Sequence, residues 1–124
     1  MIQLNYREAK PIYEQVKESL RRLIILGIIN DNEKLPSVRE LASSLAINPN
    51  TIQRAYRELE TEGYIYKIAG KGTFSKPQQE IVPERSAWLL QQFDDTVKEL
   101  LVLSQDAEKL KKRIDELDIG GSHE

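Results

Sequence analysis

The sequence predicts a mainly α fold with one small β-hairpin, followed by a short helical C-terminal segment. Three observations carry that reading. Apolar residues recur at helical spacing in three short runs up to Leu59. A run of aromatic and β-branched residues, a glycine-rich turn and a second short run follow. Beyond residue 84 the apolar positions step by threes and fours.

Ile2-Gln3-Leu4 is expected as a short opening strand. Pro11 suits a first helical position, and Ile12, Val16, Leu20, Leu23 and Ile24 then mark the buried stripe of a first helix. Gly27 closes that helix, and Asn30-Asp31-Asn32 reads as a turn. Ser37 is an N-cap with Glu40 completing a capping box. Val38, Leu41, Ala42 and Leu45 form the inner face of a second helix. Asn48 caps a third, with Pro49 at its first position and Ile52, Ala55, Tyr56 and Leu59 facing inward.

Only Ala46-Ile47 separates the second and third helices, which makes them a helix-turn-helix over about residues 38–57. Gly63 ends the third helix, Tyr64 to Ile68 forms a strand, Ala69-Gly70-Lys71-Gly72 turns, and Thr73-Phe74-Ser75 returns. Three helices and a hairpin make a winged helix-turn-helix over residues 1–76, with the wing at about 64–75. Tyr64, Tyr66 and Phe74 are expected to pack the hairpin, and Tyr6, Tyr13 and Tyr56 to enter the core.

The polar stretch 77–83, bracketed by prolines, reads as a linker. Residues 84–124 form a helical segment. Leu90, Phe93, Val97, Leu100, Leu103, Leu110, Ile114 and Leu117 line its apolar stripe, and the two consecutive steps of three at Val97-Leu100-Leu103 mark a break into two helices. Ser104 is placed to cap the second, Gly120-Gly121 to end it, and Ser122 to Glu124 to fray. So short a segment cannot bury its own stripe, so a second copy of the chain is the expected partner.

The chain has 124 residues and a net charge of −2. That figure combines 12 basic and 9 acidic side chains up to Lys76 (+3) with 6 basic and 11 acidic beyond it (−5). There is no cysteine. The N-terminus lacks a secretory pattern, and the longest apolar stretch, Leu23 to Ile29, is far short of the ~20 residues that span a bilayer. A cytoplasmic protein without membrane contact is expected. Catalysis is not: the single histidine, His123, lies in the tail, and Asp94-Asp95 has no second ligand set. No catalytic group, metal or cofactor is assigned.

The second helix of a helix-turn-helix enters the DNA major groove with its first residues at base edges. Opposite its buried face the third helix offers Asn48, Asn50, Thr51, Gln53, Arg54 and Arg57. Asn and Gln amides bond bidentately to adenine and Arg to guanine, while Thr51 suits a phosphate. No acidic residue stands between Leu41 and Arg57 to repel phosphate. Ser37 and Arg39 at the start of the second helix join this set. Gly70-Lys71-Gly72 at the wing tip lets backbone and one cation approach a groove. The competing reading is a winged-helix module that holds another protein through its hairpin or tail.

The segments Pro11-Ile12-Tyr13-Glu14-Gln15-Val16, Leu35-Pro36-Ser37-Val38-Arg39-Glu40-Leu41-Ala42, Asn48-Pro49-Asn50-Thr51-Ile52-Gln53-Arg54-Ala55-Tyr56-Arg57-Glu58-Leu59-Glu60 and Gly70-Lys71-Gly72-Thr73-Phe74 resemble, in order and spacing, the GntR family of bacterial transcription regulators. The Asn-Pro-Asn-Thr start and the short helical tail are similar to its YtrA subfamily. The resemblance implies a homodimeric, sequence-specific DNA-binding regulator, a repressor on a palindromic operator, often placed with transporter genes. It puts the base-reading arginine of the second helix on Arg39. The recognition-helix contacts fall on Asn48, Asn50, Thr51 and Gln53, and the wing contact on Gly70. It identifies no small-molecule effector, and the tail is short for enclosing one. Three departures from many relatives stand out: Pro49 and Gln53 stand where arginine is frequent, Asp31-Asn32 replaces a Pro-Gly turn, and Ala46 replaces a turn glycine. The first departure means that relatives' operator sequences do not transfer to this chain.

Overall fold

The computed structural model describes residues 2–103 and 105–121. Its elements are α1 (Ile12–Ile25), α2 (Val38–Leu45), α3 (Pro49–Thr61), β1 (Ile65–Ile68), β2 (Gly72–Ser75), α4 (Gln78–Val102) and α5 (Ala107–Gly121). The chain divides into two compact units between Arg85 and Ser86.

The first unit is built on α3. Ile52, Ala55, Tyr56 and Leu59 are fully buried and meet Val16, Leu20 and Ile24 of α1, Leu41 and Ala42 of α2, and Ile65 of β1. These are the stripes the helical periodicity marks. Tyr56 adds a polar tie: its hydroxyl donates to the Pro36 carbonyl at 2.7 Å. Burial pushes the phenol pKa up, so it stays a donor. The strands pair antiparallel, Ile65 opposite Ser75 and Ile68 opposite Gly72. The segment Asn32–Leu35 extends this ribbon. Asn32 N donates to Ser75 O, Ser75 N to Glu33 O and Leu35 N to Thr73 O, at 2.8–2.9 Å, with Lys34 bridged to Phe74. Sequence pattern gives no sign of this third, irregular strand, because Pro36 and the Asn30–Asn32 turn leave it too short to show alternation.

Two expectations at the N-terminus fail. Ile2-Gln3-Leu4 forms no strand; Ile2 and Leu4 pack on the core as irregular chain. Tyr6 is 70% exposed instead of buried. Gln15 fixes the course of the chain around Tyr6. Its side-chain amide accepts from Asn5 N (2.8 Å) and donates to the carbonyls of Asn5 (2.9 Å) and Lys10 (2.9 Å). A buried glutamine thus takes up the backbone groups on either side of the exposed tyrosine.

The stretch 77–83 is helix, not linker. Gln78 N donates to Asp31 Oδ1 at 3.1 Å, placing a carboxylate at the start of α4. Gln78 Nε2 donates to the Ile24 and Ile25 carbonyls (3.0 and 2.7 Å), which satisfies the end of α1. Ile81 is 1% exposed within the core. Pro83 lies inside the helix and forgoes a bond to the Gln79 carbonyl, a defect worth about 3 kcal/mol in an unsupported interior. The docked side chains outweigh it, so the first two turns of α4 belong to the winged-helix unit. Ile81→Ala should therefore destabilise that unit by about 2–5 kcal/mol in urea unfolding; a change below about 0.5 kcal/mol would show that the turns are not docked.

In the second unit α4 runs on to Val102 and α5 begins at Ala107, so the segment breaks into two helices as the step pattern predicts. The expected cap at Ser104 and the tail Ser122 to Glu124, with His123, lie outside the described residues. No helix among the described residues is long and apolar enough to cross a membrane.

Candidate nucleic-acid interface

The capping box predicted at Ser37 forms. Ser37 Oγ accepts from Glu40 N at 3.0 Å and Glu40 Oε1 accepts from Ser37 N at 2.8 Å. Arg39, the second residue of α2, is exposed beside it. Asn48 Oδ1 accepts from Asn50 N at 2.8 Å, with Pro49 at the first helical position. The Ser37 and Asn48 oxygens are thus committed to holding helix starts. The α2–α3 turn hinges on Ala46, which is left-handed at φ 55° and ψ 48°. An alanine there costs roughly 1–2 kcal/mol. The conformation turns the chain at once, letting Ile47 N donate to Ala42 O at 2.9 Å. The turn glycine that the family resemblance expects is missing, but its geometry is kept. Asn32 is likewise left-handed (φ 60°) in the turn before α2.

With one side of α3 buried, the outer side carries the predicted residues. Asn50, Arg54 and Arg57 are exposed; Thr51 and Gln53 are half-buried. Asn50, Thr51 and Arg54 share an open cleft with Pro11, Ile12 and Tyr13. So α3 does not present its polar face alone: the start of α1 flanks it.

Arg54 is not a free side chain. Its guanidinium lies 3.7 Å from the Tyr13 ring centroid, donates to Tyr13 Oη at 3.0 Å, and pairs through Nε with Glu58 at 3.2 Å. Tyr13 was expected in the core; it is half-buried and serves as the platform for this arginine. The two residues are 41 apart in sequence, and only the α1–α3 packing brings them together. Glu58 also accepts from Lys17 (2.9 Å), whose ammonium reaches Glu62 at 2.8 Å. The Lys17 bond, joined by Arg54, holds the Glu58 carboxyl below its ordinary value. Partial burial opposes the Lys17 charge, but Glu62 and Glu58 more than offset it and raise its pKa. Arg21 and Arg85 approach Glu62 as well. The first carboxylate after the acid-free stretch is thereby neutralised locally.

At the wing, Gly70 and Gly72 take positive φ (76° and 126°) and Lys71 is exposed between them. Lys71 N donates to Ile68 O at 2.9 Å, closing the turn. Tyr66 and Phe74 stack with centroids 5.6 Å apart, and Tyr66 Oη donates to Asn32 Oδ1 at 2.7 Å. These rings pack the ribbon, as the sequence implies, and Tyr64 is buried beneath them. No cluster of His, Cys, Asp or Glu able to hold a metal occurs among the described residues.

Short paired helices, an outward polar face free of carboxylates through Arg57 and a glycine-rich wing define a winged helix-turn-helix of the DNA-binding regulator class. Residues 12–74 match the model of the bacterial regulatory proteins of the gntR family, and the chain belongs to that family. It is 49% identical over 74 residues to the HTH-type transcriptional repressor YtrA of Bacillus subtilis (strain 168), a match covering 60% of this chain and 57% of that protein. It is 34% identical over 117 residues to the HTH-type transcriptional regulator YhcF of the same organism, covering 94% of this chain and 97% of that one. The crystal structure of AraR(DBD) in complex with operator ORR3 superposes with a TM-score of 0.52 at 33% identity, covering 59% of this chain and 88% of that one. The chain is thus a YtrA-like, DNA-binding transcription regulator and not an enzyme.

The start of α2 carries a pH dependence. Hydrogen bonds from the Ser37 backbone, then from its side chain, lower the Glu40 pKa from 4.5. A carboxylate lowered on folding contributes stability that is present above its unfolded pKa and lost as pH falls through the lower folded value. Ser37→Ala should cost about 1 kcal/mol at pH 7 in urea unfolding. The gap should narrow below pH 4.5 as Glu40 protonates in both proteins; a gap that stays constant down to the Glu40 folded pKa would refute the linkage.

Proposed function

We propose that the protein is a homodimeric repressor that reads a palindromic operator and controls a transporter operon. The observation that carries the DNA reading is the outer face of α3. It is exposed, polar and free of carboxylates through Arg57, and the buried opposite face fixes its direction. Asn50 and Gln53 supply amides for adenine, and Arg39 and Arg57 supply guanidinium forks for guanine. Thr51 and the α3 N-terminus meet phosphate, as does Arg54, held against Tyr13. Ser37 and Asn48 set the helix starts, with the Asn48 amide nitrogen still available. Gly70, Lys71 and Gly72 form the wing contact.

The dimer reading rests on the second unit. Leu90, Phe93, Leu103, Ile114 and Leu117 are 46–67% exposed. Phe93, Val97, Leu100, Leu110, Ile114 and Leu117 line one apolar cleft between the two helices. A patch of this composition marks an interaction surface, and a second copy with the same cleft covers both. Two-fold symmetry then sets half-sites about one helical turn apart, or a multiple of it. Repression and transporter control come from the likeness to YtrA and its subfamily.

Selection from random duplexes should return a palindrome. On it, Arg39→Ala should cost roughly 1–3 kcal/mol and relax choice at one position of each half-site, whereas Lys71→Ala should weaken all sequences alike. Unchanged selectivity in Arg39→Ala would remove Arg39 from the site, and absence of salt-dependent duplex binding would favour a protein-holding module. Ile114→Asp should convert dimer to monomer in sedimentation equilibrium and lower operator affinity at least tenfold (about 1.4 kcal/mol); a dimer that survives it places the interface elsewhere.

A further inference from the structure

We propose that Lys34, whose side chain lies across Gly72, is a DNA-backbone contact of the wing. The inference extends the DNA-binding reading to a residue that neither the helix pattern nor the family motif picks out. Lys34 lies on the irregular third strand, where hydrogen bonds of Asn32, Glu33 and Leu35 to β2 hold its backbone. It bridges Phe74, so its side chain shares the ribbon face of Phe74 and Gly72.

Its stem runs across Gly72. A Cβ on Gly72 would fall 2.8 Å from Lys34 Cε, a clash that a turn of the lysine stem relieves, and 3.6 Å from Nζ, an ordinary contact. Gly70 also has a positive φ (76°), and a Cβ there would meet nothing within 4 Å. Backbone conformation favours glycine at both positions, and at Gly72 the missing side chain leaves the Lys34 stem room to cross the ribbon. The ammonium is thereby laid over the wing backbone one residue from Lys71.

No ion pair among the described residues takes up that charge. Lys34 is exposed, and among the described residues it has no carboxylate within ion-pair distance. Glu40, whose carboxyl it helps to lower after the Ser37 hydrogen bonds, is occupied by the capping box. Lys34 lies three residues before Ser37, the cap of α2. With Lys71 it makes a two-cation edge at the wing. A phosphodiester of duplex DNA is the ligand that such an edge fits, and the contact would be independent of sequence.

The test is the salt dependence of binding by the full chain to a mixed-sequence duplex three helical turns long. Lys34→Gln should shallow the slope of log K against log salt by about 0.9, the value of one phosphate contact, and Lys34→Arg should keep it. Lys67→Gln, on the opposite ribbon face, should lose less. An unchanged slope in Lys34→Gln with wild-type melting overturns the proposal, as does an equal loss in Lys67→Gln, which would make the effect one of net charge. If the wild-type chain shows no salt-dependent binding, the DNA reading itself fails and takes this assignment with it.

Discussion

The buried face of α3 is the constraint on which the rest depends. Ile52, Ala55, Tyr56 and Leu59 stand at 0–1% exposure. Rotating the helix by one residue would expose several of them, at roughly 1.5–3 kcal/mol each. The hydroxyl of Tyr56 bonded to the Pro36 carbonyl adds a directional lock. The outward polar residues inherit a fixed heading from side chains that never face solvent. A recognition helix needs this, since a misdirected amide makes no bidentate pair.

The same burial organises the charged groups around α3. Lys17, Arg21 and Arg85 converge on Glu62, and Lys17 and Arg54 on Glu58. Isolated surface pairs contribute little. Here the pairs are shared and partly buried, and they tie α1 and the first turns of α4 to the C-terminal half of α3. They also neutralise Glu58 and Glu62 locally, the two carboxylates of α3 that α1 packs against.

Helix positions, caps and the hairpin were legible because each has a local signature: a 3.6-residue stripe, Ser37 with Glu40, Asn48 with Pro49, and glycines at the turns. What was not legible depends on contacts distant in sequence. Nothing near Tyr6 says that Gln15 will bond the backbone of Asn5 and Lys10 and leave the ring in water. Two prolines in 77–83 look like a linker until Ile81 is seen filling a gap in the core and Gln78 closing α1. Of the outward-facing residues, those on α3 follow from periodicity alone. The stacking of Arg54 on Tyr13 and the lie of Lys34 across Gly72 require the tertiary fold.

The charge of −2 describes neither part of the chain. A +3 head is modest for a protein that must approach DNA, and Glu58 and Glu62 spend much of the nearby positive charge on internal pairs. In the proposed reading, the cations of α2, α3 and the wing that form no ion pair among the described residues are what is left for DNA, with Arg39 and Arg57 on bases and Lys71 and Lys34 on phosphate. Few phosphate contacts mean weak binding of one head to random sequence and a shallow salt slope. Useful affinity then has to come from base contacts and, in the proposed dimer, from coupling two heads, because the second head would bind at the effective concentration set by the first. The −5 of the C-terminal segment does not oppose this if that segment's task is to meet its own copy through apolar contact. Acidic groups outside the cleft lose nothing by staying in water, and they disfavour its approach to phosphate.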